Sequence, residues 1–175
     1  MKYLIASDIH GSALYLERLA ERYRLEGADC LVLLGDLLYH GPRNDLPEGY
    51  DPKRCIEILN GWDNILCVRG NCDTEVDQMV LNFPIMAEYG IICVEDRQLY
   101  LTHGHRKLPT FKNKPVVLAG HTHVPALEDR GEYVYINPGS VSIPKDGSAR
   151  GCAVLDGRKI TAETLDGELV FSYEL

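Results

Sequence analysis

The chain has 175 residues, 45% apolar and 25% charged, about one domain at roughly 150 residues each, and this ordinary globular composition excludes collagen-like, coiled-coil and disordered classes. Its 18 basic against 26 acidic residues leave a formal charge of −8, the wrong sign for gripping nucleic-acid phosphates by bulk charge. An anionic substrate must find its positive charge somewhere other than lysine and arginine.

Taken in chain order, Lys2 to Ala6 reads as a strand, and the chain meets Asp8 and His10 before a secretory core can accumulate. No later apolar run approaches the ~20 residues that span a bilayer, so no membrane association and a cytoplasmic location are expected. Ser12 is placed to cap a helix whose Leu16, Leu19, Ala20 and Tyr23 form one stripe, with Gly27 ending it. Cys30 to Leu34 is a second buried strand. Leu37 to Tyr50 holds few core candidates and is longer than most connections, which marks a functional loop. Asp51-Pro52 opens a helix with Cys55, Ile56 and Leu59 on one side. Ile65 to Val68 is a third strand, and Asp73 or Thr74 caps a short helix through Met79. From Pro84 onward the pattern turns to strands: Ile85–Val94, Gln98–Thr102, Val116–Ala119, Tyr133–Ile136, Cys152–Leu155 and Leu169–Tyr173. β-α-β units followed by antiparallel runs predict a single mixed α/β domain over residues 1–175, built of two packed mixed sheets flanked by helices. The six cysteines show no C-x-x-C pair; Cys30, Cys67 and Cys93, inside apolar runs, read as buried reduced thiols.

The chemistry lies at the ends of the apolar runs. Asp8-Ile9-His10 comes directly after the first strand, Gly35-Asp36 after the second and Gly70-Asn71 after the third, while His103 and Gly120-His121-Thr122-His123 come after two later ones. Loops at the carboxyl ends of strands converge on a rigid scaffold, which is where α/β proteins bind ligands. Taken singly, each has a plain structural reading: Asp8 as a turn or capping residue, Gly-Asp and Gly-Asn as turn dipeptides, His103 as a satisfied histidine. Five such ends in this order are not expected from coincidence. Two Asp, one Asn and four His make a mixed oxygen and nitrogen set that suits Mn²⁺, Fe or Zn²⁺. Residues i and i+2 in extended chain face the same way about 6.5 Å apart, so Asp8/His10 and His121/His123 can serve one ion or two neighbouring ions. Asp36 is the natural bridging carboxylate, because Gly35 before it lets the backbone approach closely.

The series Asp8-x-His10, Gly35-Asp36, Gly70-Asn71, His103 and Gly120-His121-x-His123 resembles the calcineurin-like metallophosphoesterase superfamily. Within it, His40-Gly41-Pro42-Arg43-Asn44, Arg69-Gly70-Asn71-Cys72-Asp73 and Asn137 to Pro144 resemble the YfcE-type bacterial phosphodiesterases, over essentially the whole chain. The resemblance implies a four-layer α-β-β-α sandwich. It implies one ion on Asp8, His10, Asp36 and His123 and another on Asp36, Asn71, His103 and His121. Mn²⁺ is the metal it suggests, with Zn²⁺, Fe and Ni²⁺ as alternatives, and with it come a small phosphodiester substrate and a homo-oligomer. The activity expected is phosphodiester hydrolysis by a hydroxide held between the ions, with Asp36 and Asn71 central to the chemistry. Its alternative is the non-catalytic protein-binding scaffold of the same fold, resembling a retromer subunit, in which several ligands, including the Gly-Asp carboxylate, are lost.

Two dications supply the positive charge that the acidic chain lacks, and they lower the pKa of bound water toward ~7. Many superfamily members carry His where this chain has Cys72. Adjacent cations should push that thiol toward thiolate, making it a poor general acid and favouring diesters with good leaving groups. His40 and His105 are candidate substrate-side groups, as is Arg43, and Asn137-Pro138-Gly139-Ser140 reads as a turn bracing the last histidine pair.

Overall fold

The computed structural model describes residues 1–175. Strands β1 (Lys2–Ala6), β2 (Cys30–Leu33) and β3 (Ile65–Cys67) pair in parallel, with Tyr3 opposite Cys30 and Leu31 opposite Ile65. Three C-terminal strands, β9 (Gly151–Asp156), β10 (Lys159–Thr164) and β11 (Leu169–Glu174), extend this sheet antiparallel beyond β1. The second sheet contains β4 (Tyr89–Val94), β5 (Arg97–Thr102), β6 (Val116–Leu118), β7 (Ala126–Asp129) and β8 (Val134–Asn137) in the order β4-β5-β6-β8-β7, with β5, β6 and β8 parallel.

The central strands β1 and β2 are apolar over Leu4–Ala6 and Leu31–Leu33 because both of their faces are covered there. Leu4, Ala6, Leu31 and Leu33 face Leu16 and Leu19 of helix α1 (Ala13–Glu26) and Cys55 and Leu59 of helix α2 (Pro52–Asn60). Ile5, Val32 and Leu34 point the other way, into Leu99, Leu101, Val116 and Leu118 of the second sheet. Capping agrees with the sequence: the Ser12 hydroxyl accepts from Tyr15 N at 3.4 Å, Gly27 turns left-handed at φ 61°, and Asp51 accepts from Arg54 N at 3.0 Å. Thr74, not Asp73, caps the short helix α3 (Glu75–Gln78), in a capping box with Asp77. Asp73 is buried and used elsewhere.

Several expectations change. Ile85 to Glu88 is not strand: Ile85 is fully buried in the helix-side core and its N–H donates to Gln78 Oε1 at 2.8 Å, so β4 begins only at Tyr89. β7 and β10 are additional strands whose charged outer faces hid their alternation. The outer face of the second sheet is covered by irregular chain, with Leu108 and Phe111 lying on Val117, Ala119 and Tyr135 where a helical layer was expected. Cys93 is exposed, because it lies on the solvent face of edge strand β4. No helix is long and apolar enough to cross a membrane.

Candidate metal centre

The parallel strands of both sheets end at one edge of the sandwich, and the loops after β1, β2, β3, β5 and β6 meet there. The backbone is bent hard to do so. Asp8, His10, Asp36, His121 and His123 all adopt left-handed φ between 51° and 68°, a conformation that costs non-glycine residues on the order of 1–3 kcal/mol each and persists only where the surroundings impose it. Gly70 is required by close approach: a Cβ there would overlap the Asp36 carboxylate and amide.

Braces behind the site hold these loops. The Asp73 carboxylate accepts from Asp36 N at 2.8 Å, Leu37 N at 2.9 Å and Gly70 N at 2.7 Å, clamping the β2 and β3 loops together. Nothing in the sequence marked this role beyond the motif position two residues after Asn71. Ser140 and Ser142 hydroxyls donate to the Asp8 carbonyl at 2.8 and 3.2 Å. Asn137 Nδ2 donates to the Gly120 carbonyl at 2.7 Å, so the Asn137–Ser140 turn braces the His121–His123 loop as expected.

The imidazoles are aimed by their rear nitrogens. Nδ1–H of His10, His103 and His123 donates to the carbonyls of Tyr39 (2.8 Å), Leu34 (2.7 Å) and Ile143 (2.6 Å). A carbonyl only accepts, so each Nδ1 carries a proton, and each ring in its neutral form turns an Nε2 lone pair inward. Those lone pairs meet only other acceptors. Asp8 Oδ1 lies 3.2 Å from His123 Nε2 and 3.5 Å from His10 Nε2, Asp36 Oδ2 lies 3.3 Å from His103 Nε2, and Asn71 Oδ1 lies 3.1 Å from the same nitrogen. His10 and His123 Nε2 are themselves 3.2 Å apart, and buried Asp8 Oδ1 has no hydrogen-bond donor of ordinary geometry. A buried set of lone pairs that converge on one another requires cations, either protons or metal ions. The ligand atoms of Asp8, His10 and His123, of His10, Asp36 and Cys72, and of Asp8, Asp36 and His103 lie in groups within 4.8 Å, so they can hold metal, and Asp8 and Asp36 each belong to two of these groups.

The charges show how protons serve in the ion-free site. Burial pushes the Asp8 carboxyl up, but the His10 and His123 imidazoles and the charge of His103 outweigh it and hold it far below the usual range. For Asp36 burial acts the same way, and His103 again brings it down. Burial alone would lower His103, yet its bond to Asp36 and the charges of Asp8 and Asp36 lift it to about 9. His103 of the metal-free protein is therefore protonated at neutral pH. That proton stabilises the fold fully below the ordinary value of about 6.5, and its contribution is lost as pH rises through about 9. A metal must displace the proton, so affinity falls with acidity. Mn²⁺ titrations should tighten by up to about tenfold per unit from pH 6.5 toward 9, and chelator-stripped protein should melt lower at pH 9.5 than at 6.5. A flat affinity over this interval contradicts the assignment.

His121 and Asn71 complete the neighbourhood. The His121 ring stands 5.1 Å from that of His103, the His121 backbone N–H donates to Asp8 Oδ2 at 3.0 Å, and burial with the nearby charge of His103 lowers the pKa of the imidazole. A cleft of about 440 Å³ opens over the centre, lined by His10, Asp36, Asn71, Cys72, His121 and His123 together with Arg43, Asn44, Thr122 and Lys145. Lys145 was not anticipated, since it sits just beyond the Asn137 to Pro144 stretch. His40 is not among the cleft residues: it packs against Tyr39 and Tyr50, with ring centroids 4.8 and 5.4 Å away. His105 stands behind His103 at 5.4 Å and accepts from Arg106. Cys72 lies beside Asp36. Burial and the Asp36 charge push its thiol up to about 12 in the ion-free site, while its backbone N–H donates to Asp36 Oδ1 at 2.8 Å. The residue serves Asp36 through its main chain, and its sulfur accepts from Asn71 Nδ2 at 3.2 Å, a role that a serine hydroxyl can also fill. Cys72→Ser should accordingly keep diester turnover within about tenfold of wild type; a thousandfold loss would mean that the sulfur takes part in the reaction.

The calcineurin-like phosphoesterase superfamily domain matches residues 1–159 of the chain. A relative named phosphodiesterase YfcE, from Escherichia coli K12, is 46% identical over 177 aligned positions, covering 98% of this chain and 96% of the relative. The chain belongs to the calcineurin-like phosphoesterase superfamily. The solved structure of the E. coli phosphoesterase Yfce superposes with a TM-score of 0.94 at 46% identity, covering 99% of each chain. Wild-type Vps29 from Entamoeba histolytica, solved in complex with Zn²⁺, superposes at TM-score 0.62 with 18% identity, over 100% of this chain and 98% of that one, and shares the fold alone. Superfamily membership and the converging ligand atoms together support binding of divalent metal.

Proposed function

We propose that this superfamily member is a phosphodiesterase dependent on two divalent metal ions, most suitably Mn²⁺, with Zn²⁺, Fe and Ni²⁺ as alternatives. The observation that carries this reading is the inward convergence of imidazole Nε2 and carboxylate oxygens on a buried point beneath an open cleft. Asp8, His10, Asp36 and His123 would hold one ion and Asp36, Asn71, His103 and His121 the other. When bound, such ions activate water and neutralise the phosphoryl oxygens of an in-line displacement. The chain does the rest. The carbonyls of Tyr39, Leu34 and Ile143 keep the imidazoles in the ligating tautomer. Asp73 holds Asp36 in place, and Arg43 and Lys145 in the cleft wall offer donors to a phosphate.

The 46% identity to a curated phosphodiesterase supports the diester assignment. The scaffold alternative goes with loss of the Gly-Asp carboxylate, and Asp36 is present here with the other six ligand positions. Elemental analysis of purified protein beside a panel of chromogenic mono- and diesters, with added Mn²⁺ and with chelator, decides between them. Chelator-sensitive diester hydrolysis exceeding monoester hydrolysis is the expected result. Stoichiometric metal without turnover on any ester would leave the binding scaffold.

A further inference from the structure

The loop from Leu37 to Tyr50 is tied down at both ends and free at its tip. Gly11 N donates to the Leu37 carbonyl at 2.8 Å, Ala13 N to Gly49 at 2.9 Å and Asp51 N back to Gly11 at 2.8 Å, and the Ser12 hydroxyl donates to the Glu48 carbonyl at 2.6 Å. Both ends are thus fixed to the segment that carries Asp8 and His10. The tip overhangs the cleft, braced by Asn44 Nδ2 donating to the His40 carbonyl at 2.7 Å.

Arg43 at this tip lines two spaces: the metal cleft and an adjoining cavity of about 460 Å³ whose other wall includes Ser142, Ile143, Pro144 and Arg150. The Ile143 carbonyl is the acceptor that orients His123, so this wall stands directly behind a candidate ligand. A phosphodiester phosphorus held at the centre has the cavity within reach of one ester arm. Arg18, Arg22, Arg54, Arg106, Arg130 and Arg158 each pair with a carboxylate; exposed Arg43 pairs with none, and, Arg150 apart, the other unpaired arginines Arg24, Arg69 and Arg97 line neither space. Arg150 lies 4.0 Å over the Tyr15 ring and spends Nε on the Ser142 carbonyl at 3.2 Å, which leaves its terminal N–H groups. Of the cavity's two carboxylates, Glu48 accepts the Tyr15 hydroxyl at 2.7 Å and Asp45 sits on the exposed rim.

We propose that Arg43, with Arg150 across the cavity, is a specificity-determining residue that reads an anionic group on the ester arm remaining with the phosphate, so that the preferred substrate is a diester carrying a second negative charge. A guanidinium fork matches phosphate or carboxylate oxygens bidentately. The inference rests on the phosphodiesterase reading proposed for the centre.

Two chromogenic diesters with the same leaving group separate the terms: thymidine 5′-(p-nitrophenyl phosphate) and its analogue bearing a 3′-phosphate, each assayed with Mn²⁺ at fixed ionic strength. The 3′-phosphorylated compound should have kcat/KM about tenfold higher, expressed in KM, consistent with one charge-assisted contact. Arg43→Ala should erase that preference, bringing the kcat/KM values of the two diesters to within about twofold of each other, and leave the melting temperature unmoved. Arg43→Lys should restore part of it. Equal preference for the two compounds in the wild type, or a preference that survives Arg43→Ala, overturns the assignment. Absence of turnover on both diesters instead sinks the phosphodiesterase reading itself, and the inference with it.

Discussion

Asp36→Asn should lower diester turnover by about a thousandfold or more and reduce bound metal below two ions per chain. The reason is position: Asp36 Oδ2 lies 3.3 Å from His103 Nε2 and 3.7 Å from His10 Nε2, between the two imidazole groups, while Oδ1 takes the Cys72 amide at 2.8 Å. The amide replacement has the same shape and can keep the Cys72 hydrogen bond, but it removes the charge that two dications would share. Metal catalysis supplies several kcal/mol of transition-state stabilisation, and about 1.4 kcal/mol is a factor of ten in rate, so losing the shared carboxylate costs at least three such factors. Folding should survive, because the isosteric amide keeps the packing and the Cys72 hydrogen bond, although it gives up the ion pair with His103. Circular dichroism, inductively coupled plasma metal analysis and turnover measured on one preparation check this. Near-normal turnover with a full metal complement would remove Asp36 from the centre and break the assignment.

Asp73→Ala should produce the largest loss of stability of any single change at the site, about 3–5 kcal/mol. The carboxylate is buried and accepts from three backbone N–H groups on two loops. Its removal strands those donors at roughly 1–3 kcal/mol each, partly recovered by relaxation or water. In a chain of this size about 1 kcal/mol corresponds to roughly 2–4 °C of melting temperature, so thermal unfolding should begin near 10 °C lower. Metal affinity should weaken with it, since Asp36 and Asn71 lose their common anchor. Asp73→Asn retains one acceptor oxygen and should fall between the two. A melting temperature within 3 °C of wild type for the alanine variant would show that the clamp contributes little.

Much of the centre is legible in the order of residues alone. Asp8, His10, Asp36, Asn71, His103, His121 and His123 stand out in the sequence because metal-type side chains recur at the ends of apolar runs, a local pattern. The strands and helices of the first half result from burial on both faces and from caps such as Ser12 and Asp51, which act within a few residues. Other features were not legible. β7 and β10 have exposed charged faces, so their strand character depends on neighbours supplied by distant sequence. Ile85 looks like strand because it is apolar and β-branched, but it serves as a core plug under the helices.

Composition, motif order and capping residues by themselves determined the class of chemistry, the candidate ligands and the mixed α/β architecture, because those depend on residue type and short-range geometry. Only the tertiary structure decided which groups act together. It placed Asp73 rather than a helix cap behind Asp36, turned His40 onto Tyr39 and Tyr50, brought Lys145 and Arg43 to the cleft, and set His10 Nε2 against His123 Nε2 across 113 residues. Those outcomes depend on loops crossing between two sheets, and no interaction within a short stretch of chain specifies where such loops meet.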